Sequence, residues 1–209
     1  MKQLKFLVFI WLSCLAMLSH ADPQLGKEYG LVTQPQPTEP KKIEVQEFFS
    51  YSCPHCFDLD PQIHQWSKKL PKDVTFTRLH AASNPNWASL AKLFYALEAL
   101  GELERLHSAV FTDFHQNKIN FSDEKTAIDW LSKHGVDPKK YADASASFSV
   151  QGKIARTKQL AEAYGINGVP TIVVGGKYQT SASMTGSHEA TLKVAEYLIN
   201  LVRRERGGK

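Results

Sequence analysis

Residues Cys53-Pro54-His55-Cys56 place two thiols three positions apart, directly after the apolar run Val45-Gln46-Glu47-Phe48-Phe49. A disulfide between them closes almost no loop, so it restrains the unfolded chain very little. Structural bridges join distant segments. This pair is suited to making and breaking a bond, which is redox chemistry. The alternatives are an inert thiol pair or a metal site made of Cys53, His55 and Cys56. The third of the three cysteines, Cys14, lies in an N-terminal stretch with a separate purpose.

The elements around the pair explain why one thiol would be reactive. Residues 43–50 are apolar enough for a central strand, and residues 54–70 read as a helix stopped by Pro71. With Cys53 at the N-cap, Pro54 falls at the first helical position, where a missing N–H is harmless. First-turn amides and the helix dipole then favour a thiolate on Cys53, and His55 adds positive charge when protonated. Cys56, one turn along, is within disulfide reach and points to the buried face, while Cys53 sits at an exposed helix end. Cys53 is therefore the expected attacking and leaving sulfur, and Cys56 the thiol that resolves it. A stabilised thiolate makes the disulfide form more oxidising.

Export fits that direction of chemistry. Lys2 and Lys5, an apolar stretch over residues 6–18 and the small-x-small sequence Ser19-His20-Ala21 read as a signal peptide over residues 1–21. Lipidation at Cys14 is a weaker reading, because apolar residues continue beyond it. Cleavage after Ala21 leaves residues 22–209 with two cysteines in an oxidising compartment, the periplasm being the expected one. It also removes two lysines and no acid, lowering the net charge from +4 to +2. Such a balance does not point to nucleic acid, and the Lys and Arg pairs read as solvated faces.

Residues 22–42 form a polar arm with Pro35, Pro37 and Pro40 and one short strand near residues 29–33. After the dithiol helix, residues 74–79 alternate as a second strand. Asn84-Pro85-Asn86 opens a helical block that lasts to about residue 164. Strands return at 171–174 and 177–180 around a two-residue Gly175-Gly176 turn. Ser187 then caps a last helix whose apolar face holds Leu192, Ala195, Leu198, Ile199 and Val202. This order predicts an α/β domain split by a helical insertion: residues 22–83 and 164–209 as the two parts, and 84–163 as the inserted subdomain.

The segment from Glu47 to Cys56, Glu-Phe-Phe-Ser-Tyr-Ser-Cys-Pro-His-Cys, closely resembles the active-site stretch of DsbA-type thiol:disulfide oxidoreductases. Gly168-Val169-Pro170 before a strand, then Gly176-Lys177-Tyr178, resembles that family's second signature. The likeness is strong over residues 43–58 and 164–179, and elsewhere rests on element order. It implies a thioredoxin-like fold with a helical insertion, and a function of donating the Cys53-Cys56 disulfide to reduced exported proteins. A depressed cysteine pKa and an oxidising potential are known properties of that family, which the resemblance implies for this chain. The resemblance further implies a membrane quinone-linked oxidase of the DsbB type as reoxidising partner. No bound cofactor and no metal are expected, since the dithiol itself carries the electrons.

By the same resemblance Val169–Pro170 is a cis peptide bond facing the dithiol, with the Val169 backbone pairing with a substrate segment as an added strand. Glu47 shares a strand face with Ile43, Val45 and Phe49, which buries its carboxylate beneath the dithiol. A buried acid of raised pKa could accept the Cys56 proton, a role the resemblance supports. The alternative is an ion pair with Arg78, which stands where the family often has lysine; arginine does not deprotonate, so it cannot share that proton.

Rival functions remain distinguishable. Histidines 64, 80, 107, 115, 134 and 188 lack the tight spacing of a zinc site, which disfavours a metal-binding module. A disulfide isomerase or reductase of the same fold is the nearer rival, and the family's isomerases carry a long N-terminal dimerisation region. Only about 20 residues separate the expected cleavage point from the first central strand, which predicts a monomer. A peptide-binding module without catalysis would survive Cys53→Ser. Trp66, Trp87 and Trp130 lie on amphipathic patterns and read as packing residues.

Overall fold

The computed structural model describes residues 22–207, so the leader read at residues 1–21, Cys14 included, lies outside the described residues. Strand β1 (Gly30–Leu31) precedes β2 (Ile43–Phe49), helix α1 (Pro54–Ser67) and β3 (Val74–His80). Five helices follow: α2 (Pro85–Ala99), α3 (Leu103–His115), α4 (Glu124–Lys133), α5 (Pro138–Ala146) and α6 (Phe148–Tyr164). The chain then returns through β4 (Thr171–Val174), β5 (Tyr178–Thr180), the four-residue α7 (Ala182–Thr185) and α8 (His188–Gly207). No helix among the described residues is long and apolar enough to cross a membrane.

The strands form one sheet in the order β1-β5-β4-β2-β3. β2 runs parallel to β3 through the α1 crossover and antiparallel to β4, so both its edges are hydrogen-bonded. That interior position explains its apolar character, and makes its C-terminal end a rigid platform for the residues that follow. On one face Ile43, Val45, Ile172 and Val174 pack under Leu59 and Ile63 of α1 and Leu198 and Ile199 of α8. Across the sheet, Phe48 and Val173 meet Leu160 and Tyr164 of α6. Full burial of such side chains is worth about 1.5–3 kcal/mol each.

Helices α2 to α5 and the start of α6 close around their own aromatic cluster, which includes Phe94, Phe111, Phe121 and Trp130. Phe49 and Tyr51 join it to the sheet, with Phe49 5.1 Å from Phe94 and Tyr51 4.9 Å from Phe111 between ring centroids. The expected capping chemistry is present. Asn84, Asp123, Asp137 and Ser147 each accept a first-turn N–H, and Pro54, Pro85 and Pro138 open helices. Ser187 Oγ accepts from Ala190 N–H at 3.1 Å.

Local departures from the sequence reading have physical reasons. The β4–β5 connection is three residues long, because Val174 pairs with Tyr178, so Lys177 belongs to the turn and not to the strand. Gly175 and Gly176 both hold positive φ, at 61° and 63°, and a Cβ on Gly176 would run into the backbone oxygen of Gln36 in the N-terminal arm. The arm's strand is only Gly30–Leu31, and α1 stops at Ser67. α7 has no counterpart in the reading: its sequence, Ala-Ser-Met-Thr, has no helical periodicity.

Candidate active site

β2 ends at Phe49, and Ser50 to Ser52 turn the chain into α1. Cys53 N–H donates to Ser50 O at 3.1 Å, which closes that turn. Tyr51, at its centre, is clamped from three sides. Its N–H donates to Nε2 of His80 at 3.0 Å, its carbonyl accepts from Nε2 of His115 at 2.8 Å, and its hydroxyl lies 2.9 Å from Nδ1 of His107. Because His80 Nε2 accepts, Nδ1 must be the protonated nitrogen, and it lies 2.8 Å from Ala81 O. Burial pushes the His80 pKa down to about 3, so the ring stays neutral and the clamp stays intact. These histidines were read as scattered; nothing in their spacing announced a common target.

Cys53 occupies the N-cap of α1, φ −87° and ψ 116°, and its sulfur accepts from Cys56 N–H at 3.4 Å. It is half-buried rather than fully exposed, because the loop before β4 covers it: the Cys53 thiol lies 3.4 Å from Val169 O and donates to it. The Cys53 pKa is lowered to about 6. Hydrogen bonding from the Cys56 side chain contributes most, burial opposes it, and the N–H groups of Cys56 and His55 and the His55 charge add to the lowering. Cys56 is 0% exposed, and burial pushes its thiol far above the ordinary cysteine range. Both cysteines are free thiols. One ionises below neutrality while the other holds its proton, an asymmetry that suits Cys53 to attack and to leave.

The expected residues do converge. Pro54 and His55 are exposed beside Cys53, and the Val169–Pro170 bond is cis, as the resemblance implies. A cleft of about 580 Å³ opens here, lined by His55, Val169, Pro170, Gln179, Ser181 and Met184. Small residues, Gly165, Gly168, Ser181, Ala182 and Ser183, make up much of its wall, which leaves backbone within reach of an extended segment.

Beneath the dithiol Glu47 is 2% exposed and pairs with Arg78 Nε at 3.1 Å, the two being register partners on β2 and β3. The ion pair is therefore present, yet burial outweighs Arg78 and raises the Glu47 pKa to about 7. Arg78 Nη2 also reaches Asp60 Oδ1 at 3.2 Å, and Ser108 Oγ donates to Asp60 Oδ2 at 2.8 Å. Nε2 of His107 lies 3.2 Å from Asp60 Oδ1, close but short of an aligned hydrogen bond. Burial would raise the Asp60 carboxyl, but His107, Arg78 and Ser108 outweigh it and hold it below the ordinary range. Among the described residues no hydrogen bond joins Glu47 to either thiol, so its influence on them is electrostatic. Asp60 was missed in the sequence, although its place four residues after Cys56 on the buried side of α1 could have flagged it.

A family model described as "DSBA-like thioredoxin domain" matches residues 72–193. The "Thiol:disulfide interchange protein DsbA" of Burkholderia cepacia is 40% identical over 191 residues, which is 90% of each chain. Among solved structures, the crystal structure of Pseudomonas aeruginosa DsbA superposes with a TM-score of 0.84 at 40% identity, covering 88% of this chain and 96% of that one. The oxidoreductase DsbA from Xylella fastidiosa gives 0.81 at 28% identity, over 87% and 98% of the two chains.

Proposed function

This chain belongs to the DsbA-like thioredoxin-domain family and is a thiol:disulfide oxidoreductase that exchanges disulfides with protein thiols, and from that premise we propose that Cys53 and Cys56 are its reacting pair and that it works as an oxidant. The observation that carries this reading is the unequal environment of the two sulfurs: a half-buried N-cap thiol ionising near pH 6, beside a buried thiol that does not ionise.

A substrate thiolate attacks Cys53 Sγ of the disulfide, the Cys53–Cys56 bond breaks, and Cys56 departs and takes a proton. The second substrate thiol, losing its proton, attacks the substrate sulfur of the mixed disulfide, and Cys53 leaves as its stabilised thiolate. Two electrons have moved to the dithiol and one disulfide has been made. Glu47 buffers the proton at Cys56, and its raised pKa suits it to exchange that proton near neutrality. Val169 and Pro170 present backbone to the substrate segment, and Pro54 and His55 hold the helix start and its charge.

The substrates are reduced exported proteins, the site of action is the periplasm, and the working unit is a monomer. The leader pattern at residues 1–21 supports the compartment. A membrane quinone-linked oxidase of the DsbB type returns the pair to the disulfide. Residues 22–83 and 164–209 make the thioredoxin-like part and 84–163 the inserted subdomain, a division supported by the aromatic cluster that α2 to α5 close around.

Equilibrating the protein with glutathione buffers tests the direction. An oxidant is half-reduced in buffers that are still mostly oxidised glutathione. Half-reduction only in strongly reducing buffer would assign it to reduction or isomerisation.

A further inference from the structure

Helix α8 begins at His188, and its first turn meets the first turn of α1, where His55 and Asp58 stand three residues apart on one face. One ligating atom from each of His55, Asp58 and His188 lies within 4.8 Å of the others. The two imidazole rings are 6.5 Å apart between centroids and inclined by 57°, so their edges rather than their faces can converge on a point. His55 and Asp58 are exposed, which leaves the cluster open to ions from solvent. Nδ1 of His188 is buried and has no hydrogen-bond partner. A buried polar nitrogen left unpaired is unfavourable, and neither a backbone carbonyl nor a carboxylate satisfies this one.

We propose that His55, Asp58 and His188 form a divalent metal site of the zinc type, set beside the dithiol and sharing His55 with its surroundings. Two imidazole nitrogens and one carboxylate oxygen are borderline ligands that suit Zn²⁺ over Mg²⁺ or Ca²⁺, which take oxygen sets. A tetrahedral Zn²⁺ with bonds of about 2.0–2.2 Å spaces its ligands roughly 3.3 Å apart. Small side-chain rotations close the 4.8 Å limit to that value, and both His55 and Asp58 are free on the surface to make them. Three protein ligands leave a fourth position for water or for a donor group from a bound partner. Neither Cys53 nor Cys56 belongs to the group, so the site exists whether or not the disulfide is formed.

The test uses the protein with its disulfide formed, which removes the thiols as ligands, after chelator treatment and removal of the chelator. Titration with Zn²⁺ against a chromophoric zinc indicator should give one equivalent bound. His188→Ala and Asp58→Asn should each weaken that binding tenfold or more, with metal-free melting temperatures unchanged. Co²⁺ added to the same protein should give the visible absorption of a tetrahedral site, lost in His188→Ala. No stoichiometric uptake by the oxidised protein, or uptake unchanged in either variant, overturns the proposal. Asp58 is exposed, so its variant folds and keeps the test decisive even if replacement of His188 disturbs the start of α8. Because the readout is metal binding to the disulfide form, its failure would leave the thiol-exchange reading untouched.

Discussion

The Cys53 thiol points at the backbone carbonyl of Val169, 3.4 Å away, although the two residues stand 116 positions apart in the chain. On its other side the same sulfur receives the N–H of Cys56 at 3.4 Å. The carbonyl satisfies the protonated form and the amide satisfies the ionised form, so the sulfur is partnered in both states. Ionisation exchanges one hydrogen bond for a stronger, charge-assisted one, with little rearrangement.

Alkylation of the reduced protein should read out that arrangement. Cys53 is expected to react with iodoacetamide with a midpoint near pH 6, and Cys56 to resist until the protein unfolds. At pH 7 a thiol of that pKa is about 90% thiolate, against about 3% for an ordinary cysteine near 8.5. Mass mapping of the alkylated sites in the presence of a chelator makes the measurement. A Cys53 midpoint near 8.5 would remove the basis for an oxidant.

The same shift predicts how redox state and pH combine in stability. Between about pH 6 and 9 the unfolded reduced chain keeps a proton on Cys53 that the native reduced protein has released. Stability of the reduced form therefore rises with pH across that window and is lost as pH falls through 6. The disulfide form lacks this group altogether. The melting temperature of reduced minus oxidised protein should grow more positive from pH 5 to pH 8, and a flat difference would contradict it.

Much of this site was legible because its chemistry is local. The helix start at Cys53-Pro54, the burial of Cys56 one turn later and the place of Glu47 on the inner face of a strand all follow from spacings of one to six residues. The Glu47–Arg78 pair was reachable too, since parallel neighbours in consecutive strands fall into register. What stayed hidden depends on chain segments that only the fold brings together. His80, His107 and His115 reach Tyr51 from 29, 56 and 64 positions away. A histidine in sequence gives no sign of whether it will be a buried neutral clamp, like His80, or a half-exposed ring beside Asp58, like His188. A two-residue Gly175-Gly176 turn would put Lys177 in the strand, whereas the two left-handed glycines before it need one more residue to turn the chain.

Glu47→Gln should separate the two roles of that carboxylate. Its pKa near 7 means that the native protein holds a proton between about pH 4.5 and 7 that the unfolded chain has lost. Stability falls as pH rises through that interval, by up to roughly 3 kcal/mol. With the disulfide kept intact, the glutamine variant is expected to melt higher than the parent at pH 8 and close to it at pH 4.5. Its disulfide-transfer rate at pH 7 should drop by about tenfold, because Cys56 loses its proton partner. A raised melting temperature with an unchanged rate would leave Glu47 a structural ion-pair residue only.

His80→Leu tests the clamp beneath the active-site turn. The substitution strips the Tyr51 N–H of its acceptor in a fully buried setting, which should lower stability by about 1–3 kcal/mol. The pH dependence separates this from a simple packing defect. In the parent protein His80 stays neutral down to about pH 3, whereas in the unfolded chain it takes up a proton near 6.5. The unfolded state thus binds more protons across that interval, and stability is lost as pH falls from 6.5 towards 3. The leucine variant has no such group, so its deficit against the parent should shrink steadily on acidification. Chemical denaturation of the two disulfide forms at pH 7 and pH 4 measures it. A deficit of the same size at both values would mean that the ring contributes shape alone, and that the turn carrying Cys53 does not depend on a neutral imidazole acceptor.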